Sequence, residues 1–302
     1  MASGFAVPIL LAALGAILFS AKAIVVKLSY LHGADAITVL ALRMLAALPF
    51  FWIAVWWEKS RKNPPPLCKT DLLKLIFLGF TGYYVSSYLD FLGLEYISAG
   101  LERVILYLNP TMVLLISAVI LRKTIHRRQW LAMAVAYSGV TLVFFHDMRW
   151  DGPQVALGSA LVVFSALSYA IYMIYSGEVV NRVGSIRVVA YASGSSTVFV
   201  LMHALMANAS ALVSQPIEVY GLALFNGSLC TFVPMLFTMI AINRVGAGFA
   251  AQAGVAGPVA TVFLGWYFLS EPITWMQLIG VAVVLIGMGI LLTASRPAAA
   301  VR

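Results

Sequence analysis

Apolar residues fill ten long stretches of the chain, and short polar segments separate these stretches. A membrane-spanning helix needs about 20 mostly apolar residues. The pattern therefore predicts an all-α polytopic membrane protein with ten transmembrane helices. They cover residues 5–30, 34–57, 72–93, 97–121, 130–145, 154–177, 186–207, 219–242, 246–269 and 273–293.

Composition strengthens this assignment. The chain has 302 residues, of which 62% are hydrophobic and only 10% are charged, whereas soluble domains carry about 25% charged residues. An ordinary cytosolic enzyme, a disordered protein and a nucleic-acid-binding protein are thereby excluded. The net charge of +8 is spread along the chain and forms no dense basic stripe.

The positive charges predict the orientation of the helices. When the N-terminus is placed in the cytoplasm, fourteen of the 19 Lys and Arg residues fall on the inner side, and Arg149 alone falls on the outer side. Cytoplasmic loops are enriched in Lys and Arg. We therefore expect both termini to be cytoplasmic.

The two halves of the chain resemble each other at an offset of 148 residues. Ala99-Gly100 then aligns with Ala247-Gly248, and Gly139 aligns with Gly287. Each half holds five spans, and because five is odd the halves enter the membrane from opposite sides. This pattern predicts two inverted repeats, residues 1–147 and 153–295, followed by a cytoplasmic tail, residues 296–302. Transporters built in this way bind substrate near the midplane, between the repeats.

The same residues resemble the drug/metabolite transporter superfamily, in its EamA-type branch of ten helices. The resemblance is carried by Ser98-Ala99-Gly100, Leu108-Asn109-Pro110, Val245 to Gly248, Gly257-Pro258 and Ser270-Glu271-Pro272. The first repeat departs from the pattern, since Lys123 replaces the Glu found at position 271. The chain is most similar to the YddG-type exporters of aromatic and other apolar amino acids. The resemblance implies outward transport across the inner membrane of a bacterium.

Polar side chains at helical spacing mark candidate walls of a path, because a polar face in a membrane helix needs water or another polar group. Such faces lie on the first, third, fourth, sixth, eighth and ninth spans. The fifth and tenth spans have few polar side chains, and we expect them to face lipid or to mediate self-association. The candidate substrate-binding residues are Lys22, Arg43, Tyr83, Tyr88, Asp90, Glu102, Tyr107, Asn109, Ser165, Tyr169 and Tyr172.

Within this set the aromatic rings are expected to contact the apolar part of the substrate. Lys22, Arg43 or Asn109 would meet its polar end. The alternative for the charged residues is internal ion pairing within the first repeat. Pro110 and Pro258 are repeat mates, and we expect them to act as hinges because proline removes a helical hydrogen bond.

The sequence lacks the motifs of ATP binding, metal binding and hydrolysis. The sequence has no G-x-x-x-x-G-K-[ST], so no P-loop for ATP is expected. It also has no metal-binding or hydrolase motif, and we expect no cofactor, no metal and no enzymatic activity. The expected partners are a small-molecule substrate and the lipid bilayer, with the protein a monomer or a homodimer.

The sequence thus favours a secondary transporter that exports aromatic or apolar amino acids by alternating access. An exporter of other metabolites or cationic drugs, coupled to protons through Asp90 or Glu102, is the alternative. An intramembrane enzyme or scaffold subunit is a distant alternative.

Overall fold

A computed structural model describes residues 3–62, 66–120, 122, 124–237 and 256–294. The described residues form helices and no strand. The helices are α1 (Ser3–Leu31), α2 (Ala36–Lys62), α3 (Lys69–Gly79), α4 (Ser86–Leu94), α5 (Ala99–Leu106), α6 (Asn109–Ile120), α7 (Arg127–Asp151), α8 (Gln154–Val183), α9 (Ser185–Asn208), α10 (Ile217–Gly227), α11 (Ala256–Leu269) and α12 (Trp275–Ala294).

These helices follow the predicted spans. Within the described residues, nine helical segments are long and apolar enough to cross a membrane, and Gly257–Leu269 is a shorter apolar helix. The third span consists of α3 and α4 joined by a π-helical turn, Phe80–Val85. Residues 238–255, which include Val245 to Gly248 and the predicted start of the ninth span, lie outside the described residues, as does the tail 296–302.

The fourth span is not one continuous helix. α5 ends at Leu106, and α6 begins at Asn109. Pro110 has no N–H to donate to the Leu106 carbonyl, so the chain tightens there and Leu108 donates to Ile105 O at 2.9 Å. Pro110 therefore lies in the first turn of α6, where a missing N–H costs little.

A second π-helical turn, Ser228–Phe232, follows α10 and lies 148 residues after the first. Each π turn starts after a glycine that touches the opposite repeat. A Cβ atom on Gly79 would collide with α9 at Ala192. On Gly227 it would lie 2.8 Å from the Arg43 carbonyl oxygen in α2. Since α2 and α9 are the second spans of their repeats, the two contacts are equivalent, as inverted repeats require.

The fifth and tenth spans also pair across the repeats. α7 and α12 pack along each other, with Gly139 against Gly280 and Val284, and Gly287 against Ala132 and Ala136. The sequence predicts that these two spans face lipid or a second copy of the chain. Only the faces that point away from the α7–α12 contact can do so. Those faces expose large apolar side chains that include Trp130, Leu131, Ile279 and Ile286.

We predict that Gly287→Ala loosens the α7–α12 pair. The added Cβ would lie 2.6 Å from Ala136 N and 2.8 Å from Ala132 O, and overpacking of this kind costs about 1–3 kcal/mol. Thermal unfolding of the purified protein in detergent measures the effect. Gly289→Ala is the matched control, because no heavy atom lies within 4 Å of a Cβ there. Equal melting temperatures for the two variants would contradict the packing.

Candidate substrate-binding site

A cavity of about 500 Å³ lies among the central parts of the helices. This volume lies within the range of small-molecule binding sites. Its aromatic lining is Phe19, Tyr83, Tyr107 and Tyr169, and its charged lining is Lys22, Arg43, Asp90 and Arg103. Small polar side chains add Ser20, Ser86, Ser87, Asn109, Ser165 and Thr231.

The cavity lies between the two repeats. Several lining residues are repeat mates: Tyr83 and Thr231, Ser86 and Pro234, Ser87 and Met235, and Asn109 and Gly257. The backbone is thus pseudo-symmetric around the cavity, but the side chains are not. The first repeat contributes mostly polar groups to these pairs, whereas the second contributes mostly apolar ones.

The charges are collected at one end of the cavity. Lys22 lies nine residues before the end of α1, and Arg43 lies seven residues after the start of α2. Asp90 and Arg103 are four residues from the neighbouring ends of α4 and α5. The lining at Gly15, Ala16, Pro234 and Met235 comes from positions farther from this end. The cavity therefore has a charged end and an apolar end.

Two cations and two carboxylates neutralise each other at the charged end. Lys22 Nζ donates to Asp90 Oδ2 at 2.5 Å and lies 3.6 Å from Glu102 Oε1. Arg103 Nε lies 3.8 Å from Glu102 Oε2, and its Nη2 donates to the Phe19 carbonyl at 3.1 Å. The alternative of internal ion pairing is thus realised for these four side chains.

Arg43 is held differently. Its Nε donates to Thr231 Oγ1 at 3.2 Å, and its guanidinium lies 5.2 Å from the centre of the Phe91 ring. The Thr231 hydroxyl in turn donates to the carbonyl of Asn226 at 2.9 Å. The π-helical turn creates this geometry, because the widened turn brings the Thr231 hydroxyl to a carbonyl five residues earlier.

Eight of the eleven candidate binding residues line the cavity: Lys22, Arg43, Tyr83, Asp90, Tyr107, Asn109, Ser165 and Tyr169. The other three are not among its lining residues. Tyr88 faces away, with its ring 4.8 Å from that of His203. Glu102 is fully buried behind Lys22 and Arg103. Tyr172 lies against Gly82, and its hydroxyl is 3.3 Å from that of Tyr83, so it supports a lining residue.

The candidate set omitted part of the lining. Arg103 and Thr231 carry a signal in the sequence, since the first is a charge within a span and the second is the repeat mate of Tyr83. Phe19, Pro234 and Met235 carry none, because an apolar residue that faces a cavity looks in the sequence like one that faces lipid.

Within the described residues, nine apolar segments that could cross a membrane and one shorter apolar helix surround an internal cavity, as is typical of a multi-pass membrane transporter. The sequence matches the model of the EamA-like transporter family twice, over residues 6–145 and 156–293. The chain belongs to this family. The predicted fold class of ten helices in two inverted repeats is confirmed.

Similar proteins include the uncharacterized transporter YcbK of Bacillus subtilis (strain 168), 29% identical over 274 residues that cover 88% of this chain and 86% of that protein. An uncharacterized transporter of Archaeoglobus fulgidus is 26% identical over 220 residues, covering 72% and 76% of the two chains. One crystal structure matches with a TM-score of 0.63 at 15% identity, over 96% of this chain and 99% of the other. The names of the relatives specify transport but no substrate.

We predict that Lys22→Met destabilises the protein strongly. It leaves Asp90 without the cation at 2.5 Å and weakens the neutralisation of Glu102. Breaking a buried ion pair on one side costs about 3–5 kcal/mol. Thermal unfolding in detergent measures the loss. Lys27→Met is the control, because Lys27 is one quarter exposed and pairs with Glu271 outside the cavity. A melting temperature of Lys22→Met no lower than that of the control would contradict the role of the pair.

Proposed function

We propose that this transporter exports small organic metabolites, above all amino acids with aromatic or large apolar side chains, across the inner membrane of a bacterium. The cavity with one charged and one apolar end carries the proposal. An amino acid has the same division, with a charged head and an apolar side chain. The head would lie at the charged end, and the side chain would lie against the tyrosines and the apolar wall.

The aromatic rings of the cavity support the preference for aromatic substrates. Tyr83, Tyr107 and Tyr169 come from three different spans and line one space. Tyr83 and Tyr169 are further held by Tyr172, whose ring centre is 5.3 Å from each of theirs. Offset or edge-on contacts between aromatic rings add about 0.5–1.5 kcal/mol beyond simple burial.

Export of cationic compounds with proton coupling is the second candidate. Asp90 supports it, because this carboxylate lines the cavity and its Oδ1 has no hydrogen-bond partner among the described residues. The close contact between Asp90 and Lys22 weighs against it, since a cationic substrate would have to compete with an ammonium group already in place. Glu102 does not line the cavity, because its carboxylate is fully buried next to Lys22 and Arg103.

Alternating access would move the repeats around this cavity. The break between α5 and α6 provides a joint in the fourth span, next to Tyr107. Pro110, one of the two proposed hinges, lies in the first turn of α6. In this cycle it would set where α6 begins rather than kink a continuous helix. Pro258, its repeat mate, lies in α11, two residues after the first described residue of that helix.

Flux into liposomes tests the proposal. Purified protein reconstituted into liposomes is expected to accelerate the movement of labelled tryptophan, phenylalanine and leucine. A pH gradient should change the rate only if protons are coupled to transport. Movement of a cationic dye with no movement of amino acids would favour the second candidate, and flux of neither would overturn both.

We predict that Tyr169→Ala lowers the affinity for tryptophan by about 2–10-fold, because it removes an aromatic wall of the cavity. The affinity for leucine should change less. Concentration-dependent flux into liposomes gives both values. Tyr267→Ala is the control, since Tyr267 is 72% exposed on the outer surface and does not line the cavity. An equal loss for both amino acids would contradict an aromatic contact.

We predict that Cys68, between α2 and α3, is accessible only from the cytoplasm. The hydrogen bond with Thr70 and the nearby charge of Arg182 lower the pKa of the Cys68 thiol from its usual value. The thiolate is the nucleophile, so labelling by a membrane-impermeant maleimide should be fast near neutral pH, and faster as the pH rises. Labelling of Cys68 should occur in permeabilised cells and not in intact cells.

Cys68→Ser is the control for this labelling experiment. It leaves only Cys230, which is fully buried, and should remain unlabelled. Labelling of Cys68 in intact cells would reverse the proposed orientation of the termini.

A further inference from the structure

Arg43 differs from the other cations at the charged end of the cavity. Lys22 and Arg103 face Asp90 and Glu102. Among the described residues, no carboxylate oxygen lies within 4 Å of the Arg43 guanidinium. When both carboxylates are ionised, the four paired side chains have no net charge. The positive charge of Arg43 therefore remains unmatched.

The Arg43 side chain also has an unused donor. The residue is only 5% exposed, and Nη1 has no hydrogen-bond partner among the described residues although it is buried. A buried donor that lacks a partner is costly, and a charged one more so. Because Arg43 lines the cavity, a ligand in the cavity can supply the missing acceptor.

The rest of the guanidinium is already oriented. Nε is bound to Thr231 Oγ1 at 3.2 Å, and the Phe91 ring lies 5.2 Å away. Arg43 belongs to the first repeat, and Thr231 to the second. The contact between them uses Nε and leaves Nη1 without an acceptor among the described residues. Arginine favours carboxylates because its planar donors match their geometry.

We propose that Arg43 binds the carboxylate of the substrate, and that Thr231 is the positioning residue that orients Arg43 from the opposite repeat. The proposal rests on the function proposed above and makes it narrower. A ligand without a carboxylate would leave Arg43 unmatched. The site therefore selects for the carboxylate first, and the apolar side chain adds affinity.

Three probes of similar shape test the selection: phenylalanine, 3-phenylpropanoate, which lacks the ammonium group, and 2-phenylethylamine, which lacks the carboxylate. Binding to the purified protein is measured by calorimetry, and flux is measured in liposomes. We expect phenylalanine and 3-phenylpropanoate to bind, and 2-phenylethylamine to bind at least about tenfold more weakly, since hydrogen bonds to charged groups contribute that much or more.

Variants of Arg43 and Thr231 separate binding from folding. Arg43→Gln should weaken binding of both carboxylates by about 10–100-fold and leave 2-phenylethylamine unchanged. Arg43→Lys should weaken the binding of the two carboxylates less than Arg43→Gln does, because lysine keeps the charge although it lacks the planar donors. Thr231→Val should weaken carboxylate binding by about 3–10-fold, and Thr231→Ser should restore it. Arg149→Gln is the control, since Arg149 is exposed and outside the cavity.

Each outcome decides the proposal. Equal binding of phenylalanine and 2-phenylethylamine, or unchanged phenylalanine binding in both Arg43 variants, would overturn the role of Arg43 while amino-acid transport stands. Binding of 3-phenylpropanoate that depends on Arg43, without flux of any amino acid, would overturn the function proposed above and keep the role of Arg43. Binding of none of the three probes overturns both. Failure of Thr231→Ser to restore binding overturns the positioning role.

Discussion

The ion pair between Lys22 and Asp90 joins α1 to α4 inside an otherwise apolar bundle. Moving an ion out of water costs several kcal/mol even in a real protein, so the charged side chains cannot be placed independently. Glu102 and Arg103 complete a balanced group of four around the pair. The group holds the first, third and fourth spans together and places Lys22, Asp90 and Arg103 along one end of the cavity. Arg43 also lines this end of the cavity but belongs to none of these ion pairs, so its positive charge is not neutralised by the group.

The inverted repeat supplies the frame in which this group acts. Equivalent π-helical turns in the third and eighth spans bring Tyr83 and Thr231 to the cavity from opposite sides. The backbone contacts at Gly79 and Gly227 repeat with the same symmetry. The side chains depart from it, because the charged residues of the cavity, Lys22, Arg43, Asp90 and Arg103, all belong to the first repeat and have no charged counterpart among the described lining residues of the second. In the transport cycle proposed above, this symmetric backbone would change its direction of opening, while the asymmetric lining would orient a ligand with two unlike ends.

Much of the fold could be derived from the sequence, because each feature is local. A stretch of apolar residues predicts a span whatever its neighbours are, and the repeat of Gly139 at Gly287 needs only comparison of the two halves. The candidate site was recovered in part. Tyr83, Asp90 and Tyr169 lie on the cavity, but Tyr88, on the same span as Tyr83, faces His203. A polar stripe shows which side of a helix is polar and does not show what that side meets.

The sequence by itself thus determined the membrane setting, the number of spans and the repeat, and it placed Lys22, Arg43, Asp90 and Glu102 among the candidate residues. Only the tertiary structure decided how these charges are paired. Lys22 and Arg43 were equal candidates for the polar end of a substrate, yet Lys22 meets Asp90 whereas Arg43 meets the hydroxyl of Thr231, 188 residues away along the chain. The interaction between charges falls with distance and depends on the surrounding medium. Pairing is therefore a property of positions in space, which spacing along the chain does not record.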